Sequence, residues 1–282
     1  MGVFDGVHKA HRCILKDAVK IARAIKGTSI VVTFWPHPQR QESLYSLEHR
    51  LRLISELGID ACIVINFNKR FSQIVAEDFI KNILVAKIGA YYIYVGRNFR
   101  FGKGAKGNFL TLNRLSCIYN YKVRVFDVIT RNYQPVSSTS IRRLITKGKL
   151  STAGRLLCKP VSVYGEVIKG SSLAKKLGFP TANINPHHEI LPPSGIYAVQ
   201  AILNNKKFNG VCYIGSKPTF NMHNRKNIEV HIFNFKKDIY GERIEIQFIA
   251  KIRNEKKFKS PQLLAEQIRK DVACAKRVLT RP

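Results

Sequence analysis

Acidic residues and long apolar runs are scarce in this sequence. Its 282 residues include 18 Asp and Glu against 48 Lys and Arg, which gives a formal net charge of +30. No stretch is long and apolar enough to span a bilayer, and the first residues lack the pattern of a secretory signal. The 6 cysteines are widely separated, with no Cys-x-x-Cys pair, which argues against a zinc ribbon or a redox motif. We expect a cytoplasmic protein with reduced thiols.

The excess of basic residues raises the question of nucleic-acid binding. Most of these residues are scattered, and the denser groups at 142–149 and 256–259 lack the interleaved aromatic residues of a base-stacking platform. We therefore favour a solvated basic surface and expect no specific nucleic-acid binding. The alternative, a basic nucleic-acid-binding protein on an old enzyme scaffold, predicts binding with a steep salt dependence.

The first residues combine a glycine-flanked acidic turn with two histidines. Gly2 and Gly6 permit the close backbone approach that a triphosphate demands. Apolar residues after His8 recur at helical spacing, so His8 and His11 are predicted to open a helix with both side chains on one face, beside free backbone N–H groups. This pattern indicates a nucleotide phosphate site. The alternatives are a surface turn before an ordinary helix and a metal pair, although zinc normally needs a third ligand and none is nearby.

Between Thr28 and Val128, β-branched apolar runs alternate with amphipathic helical patterns. Strands are predicted at 29–34, 61–67, 91–95 and 122–128, and helices at 48–57 and 77–88. This alternation is typical of a doubly wound parallel sheet with helices on both faces, whose ligands bind at the carboxyl ends of the strands.

The second half of the chain has a different pattern. Short helices are predicted around 141–145 and 152–157, followed by period-two strands at 195–203, 207–214, 228–235 and 243–249, and by an amphipathic helix at 261–279. Such strands indicate a closed antiparallel β-barrel with a C-terminal helix. We place the domain boundary between residues 152 and 153.

Six further motifs accompany the N-terminal turn. They lie at Thr33–Pro38, Val95–Gly102, Ser137–Arg142, Gly178–Asn183, Gly215–Phe220 and Glu229–His231. Together they resemble, in the same order, the bifunctional bacterial riboflavin kinase/FMN adenylyltransferase family, the FAD synthetases, and the match covers nearly the whole chain. The resemblance implies an adenylyltransferase domain at 1–152, a kinase domain at 153–282, Mg²⁺ as cofactor, and ATP, riboflavin and FMN as substrates.

In the N-terminal half, the resemblance implies attack of an FMN phosphate oxygen on the α-phosphorus of ATP. His8 and His11 would donate hydrogen bonds to phosphate oxygens, and Arg142 would present a planar fork to the charge of the transition state. The other implied ATP contacts are Gly2, Phe4, Gly6, His37, Ser138 and Thr139. Taken singly, the Ser-Ser-Thr motif could be an ordinary helix N-cap, and His37 a rigid loop residue between prolines.

The segment after the third predicted strand resembles the family's flavin-site loop. Asn98, Phe99 and Arg100 would contact the isoalloxazine ring and the phosphate of FMN. On general grounds, Phe99 is more often a core residue.

In the C-terminal half, the resemblance implies transfer of the ATP γ-phosphate to the ribityl 5′-hydroxyl of riboflavin. Glu229 is the candidate base, because it alternates with aliphatic residues and points away from them; the ordinary interpretation of that pattern is a solvent-facing glutamate. Thr181 and Asn183 carry oxygen donors suited to Mg²⁺. Gly170 and Lys175 would bind ATP within a loop at 165–178 that covers the phosphates.

The sequence departs from the family pattern at two motifs. Ala10 replaces the usual glycine between the histidines, where a methyl group would crowd closely approaching phosphates. Ala174 and Lys175 replace the usual Gly-Arg pair, which exchanges a bidentate guanidinium for a point charge.

The family's phosphate turn follows a buried apolar strand, whereas this sequence begins at Met1, directly before the turn. Loss of a central strand leaves its two neighbours with unpaired backbone groups. We expect either that the true start lies upstream or that this form has an impaired adenylyltransferase half. The sequence therefore predicts a bifunctional enzyme that makes FMN and FAD, with riboflavin kinase alone as the alternative.

Overall fold

The computed structural model of the chain describes residues 1–38, 43–131, 134–170, 177–187, 189–216 and 226–280. The chain divides into two compact units, the first formed by Met1–Ser43 and Leu47–Ser138 and the second by Leu44–Ser46 and Thr139–Pro282. The units therefore divide earlier than residue 152, because the two short helices after Ser138 group with the second unit. The boundary at 152/153 between the functional domains stays a prediction.

The first unit alternates helices with parallel strands, as predicted. In chain order its elements are α1 (Lys9–Ala24), β1 (Ile30–Trp35), α2 (Leu47–Ser55), β2 (Ala61–Asn66), α3 (Ala76–Asp78, continued by a π-helix at Phe79–Val85), β3 (Tyr92–Gly96), α4 (Phe109–Tyr119), β4 (Lys122–Phe126), β5 (Thr130–Arg131) and β6 (Gln134–Pro135). The predicted strands are confirmed with small shifts at their ends. Helix α4 was not predicted, although Asn108 and Thr111 form a capping box at its start.

The four parallel strands form two pairs, β1 with β2 and β3 with β4. Within the described residues, no strand joins β1 to β3. The first residues of the chain lie in this gap between β1 and β3 instead. The Gly2 N–H donates to the Val32 carbonyl at 3.1 Å, and the Met1 amine donates to the Tyr94 carbonyl at 2.7 Å. Residues 1–3 thus bridge the facing edges of β1 and β3.

A cavity of about 390 Å³ adjoins this bridge, lined by Met1 and by residues of α1, β1 and β3. Most of its lining side chains are aliphatic or aromatic, among them Ile14, Leu15, Val31 and Ile93. Burial of the Met1 amine lowers its pKa to about 5, because the charged form loses its hydration. A peptide N–H at the same place would make the same hydrogen bond without a charge.

The second unit is the predicted antiparallel barrel. Its elements are α5 (Ser138–Thr146), α6 (Leu150–Leu157), β7 (Ser162–Ile168), β8 (Ala182–Asn185), β9 (Gly195–Leu203), β10 (Lys206–Ser216), β11 (Lys226–Ile232), β12 (Arg243–Arg253) and α7 (Pro261–Leu279). Six strands close in the order β10-β11-β8-β7-β12-β9, and every pair is antiparallel. Closure leaves no free sheet edge in the barrel, so the strand backbones pair around the ring.

Helix α7 packs on the outside of the barrel. Its Ala275 joins a cluster with Ala198 of β9 and Val211 of β10, and all three side chains are buried. Asp271 of the same helix is also buried and receives two hydrogen bonds from Arg253, at 2.9 and 2.7 Å. This bidentate pair fixes the helix to the end of β12.

We predict that an apolar strand added ahead of Met1 stabilises the first unit. An extension of five β-branched residues, the length of β3, has room to pair with β1 and β3 and to fill the apolar cavity. The unfolding midpoint of the first unit, followed by the emission of Trp35, should rise. A Gly/Ser extension of equal length is the control, and equal midpoints for the two extended proteins would contradict the prediction.

Candidate active sites

The turn between Gly2 and His8 has a left-handed backbone at several residues. Gly6 has a φ of 87°, as expected of a glycine in a tight turn, but Phe4 (53°) and Val7 (41°) also adopt positive φ. Such a conformation costs a residue with a Cβ roughly 1–2 kcal/mol. Surrounding hydrogen bonds offset this cost: the Thr33 hydroxyl donates to the Val3 carbonyl at 3.0 Å, and the Ser138 hydroxyl donates to the Asp5 carbonyl at 2.8 Å.

The two histidines lie together at the end of this turn. His8 is the N-cap of α1, and His11 lies in the first turn of the helix. Their rings stack with centroids 3.6 Å apart and planes at 18°, which confirms the predicted common face. The Nδ1 atoms of both rings are buried without a hydrogen-bond partner among the described residues. These nitrogens are therefore candidates for contact with a bound ligand.

Burial keeps both histidines neutral. It lowers the pKa of His8 to about 4, although the polar backbone of the same residue partly opposes the shift. Burial also lowers the pKa of His11 well below its usual value, and positive charge on His8, on Arg50 and on the chain terminus adds to the effect. A neutral imidazole carries one N–H, so each ring can donate one hydrogen bond.

The other predicted ATP residues of the N-terminal half fall in two places. Gly2, Phe4 and Gly6 belong to the turn itself, Ser138 is bonded to it, and His37 is buried after the carboxyl end of β1. Thr139 and Arg142 lie on α5 and belong to the second compact unit. Their ATP-binding role stays a prediction.

The predicted flavin loop follows the carboxyl end of β3. Asn98 and Arg100 are exposed, and the Arg100 guanidinium donates to the Phe99 carbonyl at 3.0 Å. The Phe99 ring is half-buried and stacks on that of Phe101, with centroids 5.7 Å apart. Phe101 belongs to the core, so Phe99 links the core to the exposed loop.

In the barrel, Glu229 lies on β11 with the neighbours that its alternation predicts. Ile228, Val230 and Ile232 are buried, while Glu229 is half-buried on the opposite face of the strand. Its Oε1 accepts a hydrogen bond from Asn227 Nδ2 at 2.6 Å. Asn227 was not predicted as a site residue. Its spacing was the available signal, because residues two apart on a strand share a face.

The predicted metal ligands lie beside this glutamate. Asn183 is opposite Glu229 in the β8–β11 register, and the Thr181 hydroxyl donates to Glu229 Oε2 at 3.4 Å. A Cβ built on Gly170 would lie 1.9 Å from Asn183 Nδ2, so a side chain there would displace the Asn183 amide. Residues Gly170, Thr181 and Asn183 also line a cavity of about 420 Å³.

One prediction for the phosphate loop is wrong at its start. Gly165, assigned to a loop at 165–178, lies within β7, and a side chain there would collide with the Asn185 carbonyl, 2.0 Å from the Cβ. The predicted ATP ligand Lys175 lies outside the described residues, as does Ala174. Lys236 and Lys237, which line the cavity around Gly170, were not predicted.

The oxygen donors around Glu229 suit a magnesium ion. Thr181 offers a hydroxyl and Asn183 an amide oxygen, both hard ligands of the kind that Mg²⁺ prefers. Mg²⁺ usually takes only one or two protein ligands and completes its shell with phosphate oxygens and water. The residues present therefore fit this metal.

The chain thus has two parts, a parallel α/β unit with two stacked histidines after a left-handed turn, and a six-stranded barrel with a carboxylate site. The FAD synthetase family matches residues 1–140, and the riboflavin kinase family matches residues 157–279. No helix within the described residues is sufficiently long and apolar to cross a membrane.

Relatives that carry both activities align along the whole chain. The bifunctional riboflavin kinase/FMN adenylyltransferase of Buchnera aphidicola subsp. Schizaphis graminum is 38% identical over 98% of this chain and 92% of its own. The Escherichia coli K12 protein of the same name is 33% identical over 100% of this chain and 93% of its own. The chain belongs to the bifunctional riboflavin kinase/FMN adenylyltransferase family. It is an ATP-dependent enzyme of FAD biosynthesis with both activities.

A solved structure has the same architecture. The crystal structure of a protein described as a macrolide-efflux protein from Streptococcus pneumoniae superposes with a TM-score of 0.81. It is 27% identical in sequence, and the alignment covers 96% of this chain and 90% of that one.

The buried histidines predict a pH dependence of stability. Unfolded histidine binds a proton near pH 6.5, whereas folded His8 resists protonation down to about pH 4. Between these values the unfolded state binds more protons, so stability is lost as the pH falls through this window. The unfolding midpoint of the first unit should decrease from pH 7 to pH 4.5. A His8→Gln/His11→Gln double variant should flatten the decrease; an identical slope would contradict the assignment.

Proposed function

We propose that the Gly2–His11 segment binds the triphosphate of ATP for adenylyl transfer, and that Glu229 is the base of the kinase reaction. The first assignment is supported by the stacked histidines, whose buried Nδ1 atoms adjoin the start of α1. The second rests on one observation: the carboxylate of Glu229 is oriented by Asn227 and Thr181 beside the candidate metal ligands.

In the adenylyltransferase reaction, an FMN phosphate oxygen attacks the α-phosphorus of ATP. The bond from that phosphorus to the bridging oxygen breaks, and pyrophosphate leaves. The FMN phosphate is largely ionised at neutral pH, so the step needs charge stabilisation more than a base. We assign that role to the N–H groups of His8 and His11, to the N-terminus of α1 and to Arg142. Gly2, Phe4, Gly6, His37, Ser138 and Thr139 complete the proposed ATP site, and Asn98, Phe99 and Arg100 the proposed flavin site.

In the kinase reaction, Glu229 takes the proton of the ribityl 5′-hydroxyl while the oxygen attacks the γ-phosphorus. The bond to the leaving ADP oxygen breaks, and FMN forms. Asn227 holds one carboxylate oxygen and so limits the rotation of the side chain. Mg²⁺, held by Thr181 and Asn183, would supply charge neutralisation on the phosphates. Gly170 and Lys175 are the proposed ATP contacts of this half.

Both activities can be measured directly on the full chain. Incubation with riboflavin, ATP and Mg²⁺ should give FMN, and incubation with FMN, ATP and Mg²⁺ should give FAD. The cytoplasmic location and the lack of specific nucleic-acid binding stay predictions.

We predict that Glu229→Gln abolishes the formation of FMN and leaves the conversion of supplied FMN to FAD intact. The amide keeps the shape of the side chain but cannot accept the proton. Chromatographic separation of FMN and FAD measures both reactions in one sample. Glu266→Gln, the same change at an exposed position of α7, is the matched control. Near-normal kinase turnover in Glu229→Gln would contradict the assignment.

We also predict the reciprocal result for the N-terminal site. His11→Ala or Arg142→Ala should lower FAD formation by roughly tenfold to a thousandfold, as for other charge-stabilising donors, while the kinase persists. His187→Ala, a histidine change in the barrel unit, serves as control. Equal loss of both activities in His11→Ala would instead show misfolding or a shared site.

A further inference from the structure

Arg50 on α2 is the largest of the fully buried residues that the structure describes, with 0% of its surface exposed. Removal of a guanidinium from water is costly unless its donors find acceptors. A buried arginine therefore indicates a local need for its geometry or its charge.

Two backbone carbonyls accept hydrogen bonds from Arg50. Nη1 donates to Val3 at 2.7 Å, and Nη2 donates to Phe34 at 3.2 Å. The guanidinium also lies 5.7 Å from the centroid of the Trp35 ring. A planar fork with donors on separate nitrogens can serve two carbonyls at once, which the point charge of a lysine does less well.

These carbonyls belong to the two segments assigned to ATP. Val3 directly precedes Phe4, the first left-handed residue of the phosphate turn. Phe34 lies at the carboxyl end of β1, shortly before His37. Arg50 thus connects the turn to the loop that carries His37. Because its side chain is fully buried, Arg50 acts on a ligand through the backbone that it holds.

The charge of Arg50 acts on the same site. It is one of the positive charges that disfavour protonation of His11. It also stands close enough to Asp5 for the two charges to attract each other. A fixed positive charge next to the turn favours the binding of an anionic ligand by the turn.

We propose that Arg50 is a positioning residue for adenylyl transfer, which aligns the Gly2–His8 turn with the His37 loop around the triphosphate. The proposal rests on the assignment of this turn to ATP. It predicts that loss of the two hydrogen bonds weakens use of ATP in FAD synthesis and leaves binding of FMN to its own loop unchanged.

Four variants test the proposal in the full-length enzyme. Arg50→Met keeps the length of the side chain without its charge or donors, and Arg50→Lys keeps the charge without the fork. Arg52→Met makes the same change on the same helix at a side chain that is 27% exposed, and is the matched control. Leu112→Ala opens a cavity in the core of the same unit and serves as a variant that is destabilised without disturbing the turn.

In Arg50→Met, kcat/KM for ATP in FAD formation should fall about a hundredfold, the loss expected from a misplacement of about 1 Å. The KM for FMN and the kinase rate should stay within about twofold, because neither depends on the turn. Arg50→Lys should give a loss of about tenfold, as a partial rescue by the retained charge. The emission maximum of Trp35, the single tryptophan of the chain, should shift in Arg50→Met and Arg50→Lys and not in Arg52→Met.

Any of three results overturns the proposal. Arg50→Met forms FAD as fast as Arg52→Met, or the KM for FMN in Arg50→Met rises as much as the KM for ATP. The third is that Leu112→Ala, with the same unfolding midpoint as Arg50→Met, loses as much FAD formation. If Arg50→Met fails to fold, Arg50→Lys compared with Leu112→Ala decides by the same criteria. Absence of FAD formation by the unaltered chain would refute the ATP assignment instead. Titration with ATP, followed by Trp35 emission, then tests Arg50 separately: an unchanged affinity in Arg50→Lys refutes its positioning role.

Discussion

The pairing of strand backbones is the constraint on which both halves of this protein depend. The barrel meets it by closure, since each of its six strands has a neighbour on both sides. The N-terminal unit meets it in two separate strand pairs, and the start of the chain supplies the link between them through Gly2 and Met1. The phosphate turn begins at this link. In this half, the pairing of the central strands and the conformation of the proposed ATP turn therefore depend on the same residues, whereas the barrel strands pair among themselves.

Each candidate site is built on polar groups that neighbouring residues hold in place. In the N-terminal unit, the left-handed turn is supported by hydrogen bonds from Thr33, Arg50 and Ser138, and burial keeps the histidines neutral. In the barrel, Asn227 and Thr181 hold the two oxygens of Glu229. Such preorganisation gives each reactive group one orientation before substrate binds, which is where most of the catalytic advantage of a polar site arises.

Much of the fold followed from periodicity. The alternation of strands and helices predicted the parallel unit, and the limits of β9 and the last helix agree with the structure. Short elements were missed, because β8 has four residues and its pattern is dominated by a functional motif. Gly165 was assigned to the loop over the phosphates by resemblance to the family. It lies instead in β7, where β8 passes too close for any side chain, a contact between distant segments that no local pattern contains.

The sequence by itself determined the order of the motifs, the helix opened by the two histidines and the face of β11 that carries Glu229, because these depend on spacing along one element. Only the tertiary structure decided which groups surround them. No pattern in the sequence predicts that Arg50 is buried or that it bonds to Val3 and Phe34, because its partners are backbone carbonyls of distant residues. The spacing of residues along a helix or strand determines the face on which each side chain lies. The packing of separate elements determines which groups that side chain contacts.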